Sequence, residues 1–322
     1  MKLFQALFIL TTLIFLYLPT YSTEQVATSV DLKTFTAPEM DAPAPQRIAP
    51  SADSLQKKFE RAVWNNDTQT QRVLLTQGVD INHVNKQDGY ASLHWAVERR
   101  LTQTVRLLLK NGADVNLYTH NAIGNDRTAL HIAAELGHAD IVRILLESGA
   151  DISKKTNFGE SVLHGVRLFV KNQDVVKQLI AHGADVNAST AFGATPLHAA
   201  SLLGASSIVD LLISKGAAVD QPNKRGMTPL HHAAQQGHLD VLQKLVAANA
   251  NLEAQTRTGD TAMHLAAKKG HSDVIQMLLN EGANPLSLNK FSKSPLTEAR
   301  ARSYDQVVQL LSDASDNTET EG

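Results

Sequence analysis

Six histidines are the residues of this chain whose type and spacing could do chemistry: His94, His131, His164, His198, His231 and His264. Imidazole ligates metals and moves protons near neutral pH, and His231-His232, or His264 with His271, come nearest to a ligand set. The surroundings of the six argue otherwise. Each closes a short tetrad: ASLH at 91–94, TALH at 128–131, SVLH at 161–164, TPLH at 195–198, TPLH at 228–231 and TAMH at 261–264. The intervals between the histidines are 37, 33, 34, 33 and 33 residues, and SPLT at 294–297 keeps the spacing with Thr297 in the histidine's place. A fixed period of this length is the signature of a repeat array. Residues one period apart are equivalents on successive units, so the six histidines do not converge on one ion.

Other reaction chemistry finds no footing. HExxH, P-loop, GxSxG and EF-hand patterns are absent. Ser54 and Lys57 fit SxxK without its companion motifs. With no cysteine, disulfides, thiol nucleophiles and cysteine-bound zinc are excluded. The expectation is therefore no catalytic residue, no metal and no cofactor. The 30 basic and 32 acidic side chains give a net charge of -2, with no basic excess to displace the counterions of a nucleic acid.

The elements that carry the histidines follow from 193–220. Gly193 supports a turn, and Thr195 sits at a helix N-cap, where its hydroxyl is expected to accept an orphan backbone N–H. Pro196 takes the first helical position, where its missing N–H costs nothing. A short helix runs to Leu203 and ends at Gly204. A second carries Ile208, Val209, Leu211, Leu212 and Ile213 at helical spacing and closes at Gly216. Gly-His joins the two helices at 137–138, 237–238 and 270–271, and Ala-Ala pairs at 133–134, 233–234 and 266–267 allow close helix approach. No unit could bury its apolar face alone, and stacking makes the core continuous.

The segment GMTPLHHAAQQGHLDVLQKLVAANANLE at 226–253 resembles the ankyrin repeat, and the resemblance covers about 53–313. It implies an all-α fold: a solenoid of about eight stacked helix–turn–helix units with protruding hairpin loops, or fingers. It also implies a protein partner, bound through the finger tips and the concave inner helices, and a structural histidine that joins one unit to the next. The first unit, 53–85, lacks the tetrad and is expected to cap the array, with Lys57, Lys58, Glu60 and Arg61 on its outer face. The last, about 292–313, is expected to be the other cap.

Recognition is expected where the pattern breaks. Eleven residues separate Asn116 from Thr128, against seven between Asn187 and Thr195, which lengthens the finger carrying Tyr118, His120 and Ile123. In the unit at 159–187, Arg167 and Leu168 replace the usual residues, one residue is added before Asp174, and the Gly-His pair is missing; this break reads as drift in a tolerant loop, the alternative being a local distortion of the solenoid. Tyr118, Phe158 and Phe192 lie on fingers and are candidate anchors, as is Arg225; the alternative for the rings is packing on their own hairpins. Trp95, Arg99, Leu136, Gln236 and Lys269 are the candidates on the inner helices, where mixed charge disfavours a purely electrostatic partner.

The ends point to export. After Met1-Lys2, Leu3 to Leu18 are uncharged and mostly apolar, and Pro19 to Ser22 follow with small residues. Residues 1–22 therefore read as a signal peptide, the alternative being an uncleaved anchor that ties the protein to a membrane. Residues 23–52, with Pro38, Pro43, Pro45 and Pro50, read as a disordered linker, and 314–322 as a disordered acidic tail. The expected protein is a monomeric, non-enzymatic scaffold that is periplasmic or secreted. The alternatives are a secreted effector directed at a host cell and a periplasmic accessory or protector of an enzyme.

Overall fold

A computed structural model describes residues 54–120, 126–165 and 173–320, with only the backbone for 317–320. The leader, the linker, Ile123, Arg167, Leu168 and the residue added before Asp174 lie outside the described residues. The described residues divide into two compact units, one ending at Val79 and the other beginning at Asp80.

In the first, α1 (Leu55–Trp64) and α2 (Thr68–Leu75) form one helical hairpin. Ser54 caps α1 by accepting from the Lys57 N–H at 3.1 Å, so the SxxK pattern here is a helix start. Asp67 caps α2 by accepting from the Thr70 N–H at 3.0 Å. Phe59, Ala62, Val63 and Leu74 are buried, and the Gln71 side chain donates to the Ala62 carbonyl at 3.1 Å. Glu60 departs from the expected polar outer face, because it is only 3% exposed. It stands one turn before Val63 and shares its side of the helix.

Among the described residues the second unit holds seven helix pairs. They are α3 (Ser92–Glu98) with α4 (Thr102–Lys110), α5 (Ala129–Glu135) with α6 (Ala139–Glu147), α7 (Val162–Gly165) with α8 (Gln173–Ala181), and α9 (Pro196–Leu202) with α10 (Ser206–Ser214). α11 (Pro229–Gln236) with α12 (Leu239–Ala247), α13 (Ala262–Lys269) with α14 (Ser272–Asn280), and α15 (Pro295–Arg300) with α16 (Asp305–Thr320) complete them. Each first helix packs on the next first helix and each second helix on the next second helix. Among the described residues β structure is limited to two isolated bridges, Val84–Ala91 and Tyr118–Thr128. The fold is all-α and built of stacked helix–turn–helix units, as the period predicts.

Burial follows the repeat. The Ala-Ala pairs at 133–134, 233–234 and 266–267 are completely buried where first helices meet. On the second helices, Val105 and Leu108, Ile141 and Leu145, Val175 and Leu179, and Val241 and Leu245 sit one turn apart and face inward. The last helix is described to Thr320. No proline or glycine interrupts 305–320. The Gln309 amide bonds Asp313 at 2.7 Å and the Ser315 hydroxyl bonds the Leu311 carbonyl at 2.7 Å, so bonds four residues apart carry the turn onward. Among the described residues no helix is long and apolar enough to cross a membrane.

Candidate protein-binding surface

The tetrad histidines are the joints of the second unit. The Nδ1 atom of each accepts the backbone N–H three residues earlier: from Ala91, Ser161, Thr195, Thr228 and Thr261 at 3.0, 3.1, 3.1, 3.0 and 3.2 Å, and from Thr128 at 3.4 Å. An acceptor Nδ1 leaves the proton on Nε2, which donates across to the next unit. The acceptors are the carbonyls of Leu117, Ala194, Met227, Asp260 and Lys293, at 2.9, 3.1, 3.0, 3.1 and 2.9 Å. For His131 the corresponding acceptor is the Glu160 carbonyl, in a weaker geometry than the other five.

The hydroxyls of Thr128, Ser161, Thr195, Thr228 and Thr261 lie 2.8–2.9 Å from the same Nδ1 atoms. Thr195 is the N-cap of α9, as expected, and its hydroxyl is shared with its histidine. Where Thr297 replaces the histidine, Ser294 accepts the backbone N–H, at 3.2 Å. Burial holds His94, His131, His198 and His231 down to about 4. These rings are neutral staples with both nitrogens directed at protein groups. A second set links units in the opposite direction: His238 and His271 bond the Leu202 and Gln235 carbonyls at 3.1 Å.

Stacking also fixes the fingers. The N–H groups of Ala191, Lys224, Arg257 and Lys290 donate to the carbonyls of Phe158, Phe192, Arg225 and Thr258 on the preceding finger, at 2.8, 2.9, 2.9 and 3.0 Å. Further back, His120 donates to Gly89 at 2.8 Å. A Cβ on Gly226 would stand 2.8 Å from the Arg257 nitrogen, and its φ is +74°, so the ladder itself demands glycine there. Side chains at the finger bases add a second clasp. Asn82, Asn116, Asn187, Asp220 and Glu253 accept the N–H groups of Asp114, Asp151, Ala218, Asn251 and Asn284 on the following unit, at 2.7–2.9 Å. Asn187 is thus a structural residue, although Asn187-Ala188-Ser189 fits a glycosylation pattern.

On this frame the candidate residues separate. Tyr118 lies along the array: its hydroxyl donates to the Lys155 carbonyl at 3.0 Å and the Lys154 ammonium sits 5.2 Å from its ring. That contact makes it part of the finger framework. Trp95 is only 3% exposed and its indole N–H donates to Asp88 at 2.9 Å. It was expected to line the inner surface, but its area is consumed inside the fold. His120, 64% exposed, lies 3.7 Å from Asp126. Phe158 and Phe192 are half-buried, as are Arg99, Leu136 and Gln236. Arg225 and Lys269 are exposed. The structure therefore aligns Phe158, Phe192 and Arg225, whose carbonyls take the same ladder position on three consecutive fingers, while Trp95 and Tyr118 are taken up by the frame.

It also brings together residues that sequence reading missed. Aligned on the ladder, Ala191, Lys224, Arg257 and Lys290 occupy one position on four successive fingers, and the last three are cations. All three are exposed, and among the described residues none makes an ion pair. Arg225 stands beside Lys224, and Phe291, 65% exposed, beside Lys290. The signal was present in the sequence: counting back from each finger's turn residue (Gly226, Gly259, Ser292) puts a cation two places earlier every time.

Among the described residues, no group of three His, Asp or Glu side chains is placed to hold a metal ion. A family model described as ankyrin repeats matches three stretches, 59–156, 163–256 and 244–321. No curated protein matches the sequence. Proteins of that family are typically non-enzymatic scaffolds, and their repeats imply a protein partner. With the period, the stacked helical pairs and the family match in agreement, this chain belongs to the ankyrin repeat family.

Proposed function

We propose that this chain is a non-enzymatic scaffold, exported from the cytoplasm, that binds one protein partner through the tips of its later fingers. The observation that carries the reading is the cation row Lys224, Arg257 and Lys290, exposed and held in register by backbone hydrogen bonds at 2.9–3.0 Å. A rigid row presents charge without first having to order a loop, which lowers the entropic cost of binding. Export rests on the apolar run from Leu3 to Leu18 behind Met1-Lys2. No enzymatic role is proposed, because the repeated histidines are engaged in holding units together.

Crosslinking from live cells tests the binding reading. A photoreactive residue placed at position 225 or 258 should yield a discrete protein adduct, and one on the outer face of α12 should not. Adducts confined to α12 would overturn the tip assignment. Fractionation tests the export reading: a mature chain shortened by about the leader length belongs in the periplasmic or culture fraction, and a full-length cytoplasmic chain would contradict it.

A further inference from the structure

Resting on the tip-binding reading, we infer the partner's chemistry: an acidic segment in polyproline II conformation, with a carboxylate at every third residue. Three observations converge. First, Lys224, Arg257 and Lys290 occupy one ladder position on consecutive fingers, so their spacing is the spacing of the units. Stacked helices lie ~8–10 Å apart, and the fingers, each bonded to the next, repeat at that interval. Second, a polyproline II helix turns once in three residues and rises ~3.1 Å per residue, so positions i, i+3 and i+6 face one side about 9 Å apart. A β-strand puts i and i+3 on opposite faces, and one α-helical turn covers only ~5.4 Å. The polyproline II repeat meets the cations in step at every turn, whereas a helix could do so only at every second turn and with a longer step of about 10.5 Å. Third, rings flank the row, Phe192 one finger before Lys224 and Phe291 beside Lys290. Aromatic surface of this kind receives the prolines or apolar residues between the acids.

Charge decides between an acidic peptide and a nucleic acid. The row is a local cationic feature in a chain of net charge -2, with 32 acidic side chains. Acids at the finger bases, Asp151 and Glu253 among them, accept backbone N–H groups and stay fixed below the tips. A long polyphosphate running past the row would meet that negative surround, whereas a short segment with three spaced carboxylates meets only the row. Each exposed pair is weak and salt-screened, so affinity comes from matching three pairs at once without ordering cost on either side.

The experiment uses the full chain and synthetic probes. Amide shifts of isotope-labelled protein are followed while adding a peptide of four Glu-Pro-Pro repeats, a peptide of four Glu-Pro-Pro-Pro repeats with the same charge, a thymidine dodecamer, and vesicles containing phosphatidylserine. Expected are shifts centred on Lys224, Arg257 and Lys290 with the three-residue peptide, and roughly threefold weaker binding of the four-residue one, the loss of one exposed matched pair. K224A/R257A/K290A should lose the difference between the two peptides while its thermal midpoint stays within a few degrees of the parent's, as expected for exposed substitutions. Equal binding of the two peptides, or shifts elsewhere, would sink the spacing inference. Tighter binding of the oligonucleotide or the vesicles would replace the partner class. Partner adducts at positions 225 and 258 combined with indifferent peptides would leave tip binding standing and remove only the inferred chemistry.

Discussion

Acid should dismantle the second unit through its histidines before its carboxylates titrate. Each staple works only as neutral imidazole, because a proton on Nδ1 confronts the cap N–H that this nitrogen accepts, at 3.0 Å for Ala91 and Thr228. His94, His131, His198 and His231 are held at about 4 by burial, against 6.5 for the free side chain. The folded value lies below the unfolded one, so the unfolded chain binds more protons between the two. Stability is fully present above about 6.5 and falls as the pH drops toward about 4. At pH 5 an unfolded histidine is almost wholly protonated and a folded one about a tenth, a difference of ~2 kcal/mol per ring. Four rings then remove about 8 kcal/mol, comparable with the whole stability of an ordinary domain. Lys268 and Arg302 hold Asp260 and Glu298 below the usual carboxylate range against the opposing effect of burial, so their contribution is lost only at lower pH. The assay is the urea midpoint followed by circular dichroism from pH 7.5 to 4.5, with imidazole shifts read by NMR in the same series. The midpoint should fall steeply below pH 6.5, and a His231→Gln variant, unable to titrate there, should show a shallower slope. A midpoint flat between pH 6.5 and 5, or folded imidazoles titrating near 6.5, would refute the staple reasoning.

Other expectations follow from single positions. A Cβ on Gly237 would sit 2.7 Å from the His271 ring at φ +75°, whereas Gly216 has nothing within 4 Å at φ +85°. Gly216→Ala should therefore cost only the left-handed strain of about 1–2 kcal/mol, and Gly237→Ala clearly more, both measured by urea denaturation. His232 is 2% exposed, lies edge-on to His198 with ring centres 5.7 Å apart, and neither of its nitrogens has a partner. Desolvation holds it well below its ordinary value. His232→Leu should raise stability by about 1–3 kcal/mol by removing unsatisfied polar atoms; a destabilised variant would contradict that account. Restoring a base clasp by Leu286→Asn, at a side chain 44% exposed, should leave the thermal midpoint within a few degrees, because no described finger follows for it to hold.

The repeat was legible because stacking imposes the same local chemistry on each unit. Pro196 and Pro229 at helix starts, Gly216 at a helix end and the Ala-Ala pairs report backbone geometry that depends on near neighbours alone. The histidines were legible as a period, yet their bonding was not. That the Thr195 hydroxyl turns to His198, and that Nε2 of His198 meets the Met227 carbonyl at 3.0 Å, depends on how close the next unit comes. Candidate recognition residues fared differently for the same reason. Trp95 and Tyr118 carry the aromatic chemistry of an interface, but Asp88 and the Lys155 carbonyl take up their polar atoms. No spacing rule states which finger residue lies against its neighbour and which faces solvent. Conversely, Lys224, Arg257 and Lys290 recur at the repeat spacing in the sequence, and the ladder is what holds that position in register from finger to finger. The sequence by itself determined the unit, its period and the places where a backbone must turn, since those follow from local sterics and hydrogen bonding. Only the stacked structure decided which side chains remain available to a partner, because exposure is set by residues a full repeat away.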